Sequence, residues 1–146
     1  MAGIKILIVD DNAHARRLAR EIISTIPGVE VRECADGRAA IEAARTWPTD
    51  LALVDYEMTP MDGVMFTELV RSGKTALRRD LPIAMMTGRA DAAHVQRARK
   101  AGVNAFIAKP LSVGALLKHL QHLLSPPEPK RVDTPAPKVV DDSVML

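Results

Sequence analysis

Acidic, hydroxyl and basic side chains stand at the ends of four short apolar runs in this sequence. They are Asp10 and Asp11, Asp55, Thr87 and Lys109. If the runs are neighbouring strands of one sheet, three carboxylates would meet in one crevice and repel one another, and a hard divalent cation is the usual remedy. Carboxylate oxygens are ligands that suit Mg²⁺. The sequence therefore predicts a magnesium site with a threonine and a lysine beside it.

Asp55 is the candidate nucleophile of this group. It follows the wholly apolar residues 51–54 and should project at the centre of the crevice, whereas Asp10 and Asp11 are adjacent and suited to holding metal. A carboxylate can attack phosphorus to give an aspartyl phosphate, and because it is already ionised at neutral pH it needs no general base. Lys109 would supply a positive charge for the phosphoryl oxygens, and Thr87 a hydroxyl donor.

An alternation of strands and helices must position these residues. Apolar, β-branched runs predict strands over residues 4–9, 29–34, 51–54, 81–87 and 105–108. Helical periodicity predicts helices over 15–26, 37–45, 61–70, 91–101 and 113–124. Five βα units predict an α/β fold, a doubly wound parallel sheet with helices on both faces and ligands beyond the carboxyl ends of the strands. Periodicity alone leaves two strand orders open.

Composition excludes several other classes of protein. The net charge is +2, and arginines cluster at positions 16, 17 and 20, but with four aromatic residues in the chain there is no stacking platform for nucleic acid. No apolar run reaches the length of a membrane span, and the amino terminus is too short and too acidic for a signal peptide, so we expect a cytoplasmic protein. Cys34 is the only cysteine, and we expect His119 and His122 on a solvated helix face, which argues against zinc.

The last segment of the chain, residues 125–146, differs in character. It holds five of the ten prolines and has no apolar periodicity. We expect a folded domain over residues 1–124 and a disordered tail over 125–146. The alternative for the tail is a partner-binding segment, with residues 139–140 and 144–146 as its hydrophobic anchors. With no second folded domain expected, whatever the site controls should be another protein.

Five motifs in order resemble the response-regulator receiver domains, across about residues 4–124. They are Ile8-Val9-Asp10-Asp11-Asn12, Leu53-Val54-Asp55 with Pro60-Met61-Asp62-Gly63, Met85-Met86-Thr87-Gly88, Gly102-Val103-Asn104-Ala105-Phe106, and Ala108-Lys109-Pro110. The resemblance implies strand order 2-1-3-4-5 and phosphotransfer to Asp55 from a histidine kinase or a histidine phosphotransfer protein.

The resemblance also implies roles for individual residues. Mg²⁺ would be bound by Asp11, Asp55 and the main-chain carbonyl of Glu57, with Asp10 assisting. Lys109-Pro110 would be a cis peptide. Thr87 would move to the phosphoryl group, and Phe106, where many relatives carry tyrosine, would rotate inward behind it. A downstream protein would read the surface formed by the fourth helix, fifth strand and fifth helix.

Two other functions stay open at this point. A pseudo-receiver scaffold would bind partners without phosphorylation, although the full acidic set, Thr87 and Lys109 count against it. A small phosphatase acting on external substrates would need a larger pocket and a specificity loop, and the sequence indicates neither.

Overall fold

The computed structural model describes residues 3–125, 138–140 and 143–145 of the 146-residue chain. Strands and helices alternate over the first of these ranges. The strands are β1 (Ile4–Val9), β2 (Val29–Cys34), β3 (Leu51–Asp55), β4 (Ile83–Thr87) and β5 (Ala105–Ala108). The helices are α1 (Ala13–Ile23), α2 (Gly37–Ala43), α3 (Gly63–Arg71), α4 (Ala92–Ala101) and α5 (Val113–Leu124).

The five strands form a parallel sheet in the order β2-β1-β3-β4-β5. Every residue of β3 and β4 is buried, whereas β2, at the edge, alternates between exposed and partly buried positions before Cys34. Strands covered on both faces need continuous apolar runs, because neither face meets water. This arrangement confirms the predicted fold class and the strand order implied by the resemblance.

Helices cover both faces of the sheet, and neighbouring residues of one strand serve different faces. Leu7 of β1 lies in one apolar cluster with Phe66 of α3 and with residues of α2 and α4. Ile6, one position earlier, lies in a second cluster with Ile22 of α1 and Leu116 of α5. Side chains alternate across a strand, so each strand contributes to two cores. The crevice at the carboxyl ends of the strands therefore lies on a sheet that is packed on both faces.

Side-chain caps decide where the helices begin. Each cap accepts a hydrogen bond from the backbone N–H three residues further on, and the five caps are Asn12, Asp36, Asp62, Asp91 and Ser112. The cap at Asp62 starts α3 at Gly63, two residues later than the sequence predicts. Gly102 ends α4 with φ of 102°, a left-handed conformation that favours glycine.

Two further strands lie within the segment for which disorder is predicted. β6 (Lys138–Val140) and β7 (Ser143–Met145) pair with each other in antiparallel fashion, and β7 pairs with the free edge of β5. The sheet thus has the order β2-β1-β3-β4-β5-β7-β6. The six residues of β6 and β7 are therefore ordered in the structure, whereas the sequence predicts disorder. The pairing of β7 satisfies backbone groups that β5 would otherwise expose. Residues 126–137, 141–142 and 146 lie outside the described residues, and the division at residue 124 stays a prediction.

One residue of α5 is placed differently from the sequence prediction. His119 is buried, 3% exposed, beside the apolar face of the helix, whereas His122 is exposed. Histidine is intermediate among residue types in how often it is buried, so a histidine at this spacing can join the apolar face. Across the described ranges of the chain, no helix combines the length and the apolar character needed to span a membrane.

Candidate active site

The carboxyl ends of β1, β3 and β5 bring together four of the residues that the sequence singles out. Lys109 Nζ lies 3.1 Å from Asp55 Oδ1 and 3.2 Å from Asp10 Oδ2. One carboxylate oxygen from each of Asp10, Asp11 and Asp55 lies within 4.8 Å of the other two. Side chains far apart in sequence meet here because parallel strands end at the same edge of the sheet.

The three carboxylates differ in their surroundings. Asp10 is 0% exposed, and its Oδ1 accepts a hydrogen bond of 2.9 Å from the backbone N–H of Asn12. Its main-chain carbonyl accepts a hydrogen bond from the Arg16 guanidinium at 2.7 Å. Asp55 is 5% exposed, and Asp11 is exposed. The site therefore has a rigid, buried acid on one side and a solvent-facing acid at its mouth.

Burial and charge shift the ionisation of the central pair. Burial, followed by the Asp10 carboxylate, raises the pKa of Asp55 to about 6, although Lys109 and the backbone N–H of Glu57 act in the opposite direction. Burial by itself would lower the pKa of Lys109, but Asp55 and Asp10 outweigh it, so the pKa of Lys109 is raised. At pH 7 the lysine is thus charged, and Asp55 is mainly ionised.

The donor set of the site fits Mg²⁺. Its three acidic side chains offer only oxygen atoms, which hard cations prefer. Burial and then the Asp10 carboxylate raise the pKa of Asp55, and a shared cation would relieve the repulsion between the two carboxylates. Asp11, exposed beside the two buried acids, leaves the site open to solvent, as a partly hydrated ion requires. Glu57 lies two residues after the end of β3 and is exposed.

Gly63 lets the loop after β3 fold back against the site. Its N–H donates to the Tyr56 carbonyl at 2.9 Å. A Cβ at this position would lie 2.6 Å from the Asp55 carbonyl oxygen and 2.9 Å from Met85 Cε. Only glycine fits such a close approach of two backbone segments. The pair Asp62-Gly63 is visible in the sequence, but the spacing of the acidic and basic residues does not show why position 63 must be glycine.

Thr87 and Phe106 lie behind the acidic residues, on β4 and β5. The Thr87 side chain is buried, and its hydroxyl donates to the Arg89 carbonyl at 3.3 Å and accepts from the Arg89 N–H at 2.9 Å. Phe106 is fully buried. The peptide bond between Lys109 and Pro110 is cis, as is the bond between Thr59 and Pro60.

Tyr56 is a neighbour of the site that the sequence reasoning does not identify. Its ring packs edge-on against Phe106 at 6.2 Å between centroids and lies 4.9 Å from the ring of His94 on α4. The Arg97 guanidinium lies 5.9 Å from the Tyr56 ring centroid. Tyr56 is 3% exposed, and its hydroxyl has no hydrogen-bond partner among the described residues. The one sequence feature that could have identified Tyr56 is its position directly after Asp55.

Comparison with known proteins agrees with this geometry. Residues 6–121 match the family model described as the response regulator receiver domain. The chain belongs to this family. Receiver domains are the parts of two-component response regulators that work with histidine kinases and downstream targets, and they bind Mg²⁺ at an acidic pocket.

Two of the proteins that this chain resembles are named as chemotaxis proteins. The chain is 32% identical to chemotaxis protein CheY1 of Helicobacter pylori over 122 residues, which cover 83% of this chain and 97% of that protein. A solved structure of chemotaxis protein CheY4 of Vibrio cholerae superposes with a TM-score of 0.77 at 31% identity, covering 84% of this chain and all of that one.

A third relative is much longer than this receiver domain. The cyclic di-GMP phosphodiesterase response regulator RpfG of Xanthomonas campestris is 35% identical over 123 residues, which cover 84% of this chain but only 32% of RpfG. This chain thus spans about a third of that relative.

Proposed function

We propose that this receiver domain accepts a phosphoryl group on Asp55 from a histidine kinase or a histidine phosphotransfer protein, in the cytoplasm, and thereby changes its binding to a downstream protein. The observation that supports this most is the contact of Lys109 Nζ with both Asp55 and Asp10, beside the exposed Asp11. It supports the proposal because phosphoryl transfer to a carboxylate requires a nucleophile, a positive charge and a cation site in one crevice.

The transfer step uses the Asp55 carboxylate directly. One of its oxygens attacks the phosphorus of a phosphohistidine, the new O–P bond forms as the P–N bond breaks, and the imidazole nitrogen leaves with the electron pair and is protonated by solvent. Asp55 needs no general base, because with a pKa of about 6 it is mainly ionised at pH 7. The Lys109 ammonium is positioned to bind a phosphoryl oxygen on the product.

Asp11, Asp55 and the Glu57 carbonyl would hold Mg²⁺, with Asp10 assisting. When bound, the ion supplies charge neutralisation to the phosphoryl oxygens. Asp10 and Asp55 share one positive charge, that of Lys109. When both carboxylates are ionised, the site keeps a net negative charge, which favours a cation. Water that later attacks the phosphoryl group would return Asp55 to its free form, so the domain acts on itself and is not a turnover enzyme for outside substrates.

The proposed response involves Thr87 and Phe106. A phosphoryl group on Asp55 offers new acceptor oxygens, and the Thr87 hydroxyl could exchange its weak bond of 3.3 Å to the Arg89 carbonyl for one of them. The space that Thr87 vacates would then be taken by Phe106. We call the surface formed by α4, β5 and α5 the output surface, and its exposed cations include Arg97, Lys100 and Lys118.

Intact-mass measurement after incubation with acetyl phosphate and Mg²⁺ tests the acceptor. The chain should gain one phosphoryl group, and Asp55→Asn should gain none, whereas Asp80→Asn, the same change at an exposed aspartate, should label fully. Asp11→Ala or an excess of chelator should abolish labelling. Undiminished labelling of Asp55→Asn would contradict the proposal.

The same samples separate the two alternatives. A pseudo-receiver scaffold would leave the wild-type chain unlabelled, and a phosphatase would hydrolyse p-nitrophenyl phosphate with many turnovers. Beryllofluoride, which mimics the phosphoryl group, tests the response: backbone amide shifts should reach Ala98 and Phe106. Thr87→Ala should still be labelled but should lose most of those distant shifts. Shifts confined to the surroundings of Asp55 in the wild-type chain would refute the switch.

A further inference from the structure

The outer edge of β5 is covered by a strand from the end of the chain. β5 would otherwise be the last strand of the parallel sheet, with a row of unpaired backbone groups. β7 pairs with it in the register Ala105 with Met145, Phe106 with Val144, and Ile107 with Ser143. β6 pairs with the other side of β7. The exposed edge of a parallel sheet is thus closed by an antiparallel pair of strands.

The sequence of β5 explains why this edge can accept a strand. Ala105, Phe106 and Ile107 include no charge, proline or glycine, the residues with which proteins protect an open edge. The two added strands are rich in valine, and two residues connect them, the shortest common length of a hairpin connection. Residues 125–137 can reach roughly 40 Å when extended, so the pair is tethered near its docking place at an effective concentration on the order of millimolar.

We propose that the β5 edge is a strand-addition site within the output surface and that it is occupied by the chain's own β7, which is paired with β6; we call these two strands the C-terminal hairpin. A partner that uses this edge must first displace the hairpin. Phe106, the proposed switch residue, lies on the strand that the hairpin pairs with, opposite Val144. The strand pairing rests on the geometry alone; only the description of this surface as the output surface rests on the proposed function.

Val144→Pro is the variant that tests the pairing. β7 lies between β5 and β6, so the N–H of residue 144 faces a neighbouring strand whichever way it points, and proline removes it. The matched control is Val132→Pro, the same change at a position that precedes both strands in a proline-rich sequence. Neither variant alters a residue of the acidic site.

Amide hydrogen exchange of the full chain, without metal or phosphate donor, measures whether the edge is covered. In Val144→Pro, the outward-facing amides of β5 should exchange about tenfold faster or more, whereas Val132→Pro should match the wild-type chain. Unchanged exchange in β3 would show that the domain remains folded. Equal exchange of the β5 amides in all three chains would overturn the proposal.

A synthetic peptide of residues 138–146, added to isotope-labelled protein, tests the site from the other side. The peptide should shift the amide resonances of β5 in Val144→Pro but not in the wild-type chain, whose edge is occupied. Absence of any shift in Val144→Pro would refute a strand-addition site. Dimers that dissociate on dilution and lose β5 protection would also refute it, because the covering strand would then belong to a second copy. Neither assay needs phosphorylation, and both can be repeated in Asp55→Asn, so their failure is distinct from failure of the proposed function.

Discussion

Replacing Asp55, the proposed phosphoryl acceptor, should make the metal-free protein more stable at neutral pH. Asp55 is 5% exposed and lies beside the Asp10 carboxylate, and these two features raise its pKa to about 6 from the ordinary value of 3.8. The charged form is therefore disfavoured in the folded protein. Asp55→Asn removes that charge while keeping the shape of the side chain.

The magnitude follows from the difference in pKa. One pKa unit corresponds to about 1.4 kcal/mol, so a rise of about two units costs the folded state up to about 3 kcal/mol when Asp55 is ionised. Because the folded pKa lies above the unfolded one, the folded state holds the proton longer as pH rises. The wild-type protein therefore loses this stability between about pH 4 and pH 6. The advantage of Asp55→Asn should be about 1–3 kcal/mol at pH 7.5 and much smaller at pH 4.5.

Urea unfolding in the presence of a chelator measures this difference. The free energies of unfolding of the wild type, Asp55→Asn and Asp80→Asn would be compared at pH 4.5 and pH 7.5. Asp80 is exposed, so its variant should follow the wild type at both values. A pH-independent difference between Asp55→Asn and the wild type, or no difference at pH 7.5, would refute the argument that burial and Asp10 disfavour the ionised form of this carboxylate.

Three further substitutions test the surroundings of the site by the same measurement. Gly63→Ala should destabilise by about 3 kcal/mol, because its Cβ would lie 2.6 Å from the Asp55 carbonyl oxygen. Tyr56→Phe should be neutral or stabilising by up to about 1 kcal/mol, since it removes a buried hydroxyl that has no partner among the described residues. Arg71→Lys should destabilise by about 2 kcal/mol, because lysine cannot reproduce the two guanidinium hydrogen bonds to the Gly102 carbonyl at 2.7 and 3.1 Å.

Matched controls separate these effects from those of the residue change itself. Gly88→Ala introduces a Cβ with no atom within 4 Å and should leave stability nearly unchanged. Arg78→Lys alters an exposed arginine whose ion pair with Asp80 is long, at 3.9 Å, and should also be nearly neutral. A loss in Gly88→Ala equal to that in Gly63→Ala would contradict the steric argument, and equal losses in the two arginine variants would contradict the role given to Arg71.

The sequence by itself determined the strands and helices of this protein and the types of side chain that form its site. Continuous apolar runs of the length of a strand predict parallel strands that are buried on both faces. The polar residues that follow these runs, from Asp10 to Lys109, are found in order along the chain. Clustered carboxylates are typical ligands of hard cations, so residue type alone predicts a magnesium site here. Helix starts were predicted less well, because a single cap such as Asp62 moves the boundary.

Tertiary structure decided what depends on contacts between distant segments. The raised pKa of Asp55 needs both its burial and the position of Asp10, which no spacing shows. The burial of His119 and the packing of Tyr56 against Phe106 depend on how helices lie against the sheet. The pairing of β7 with β5 joins residues about forty positions apart through backbone hydrogen bonds, which almost any sequence can make. The uncharged β5 and the valines of the added strands permit this pairing, but residue type does not decide which strands pair, so only the folded chain reveals it.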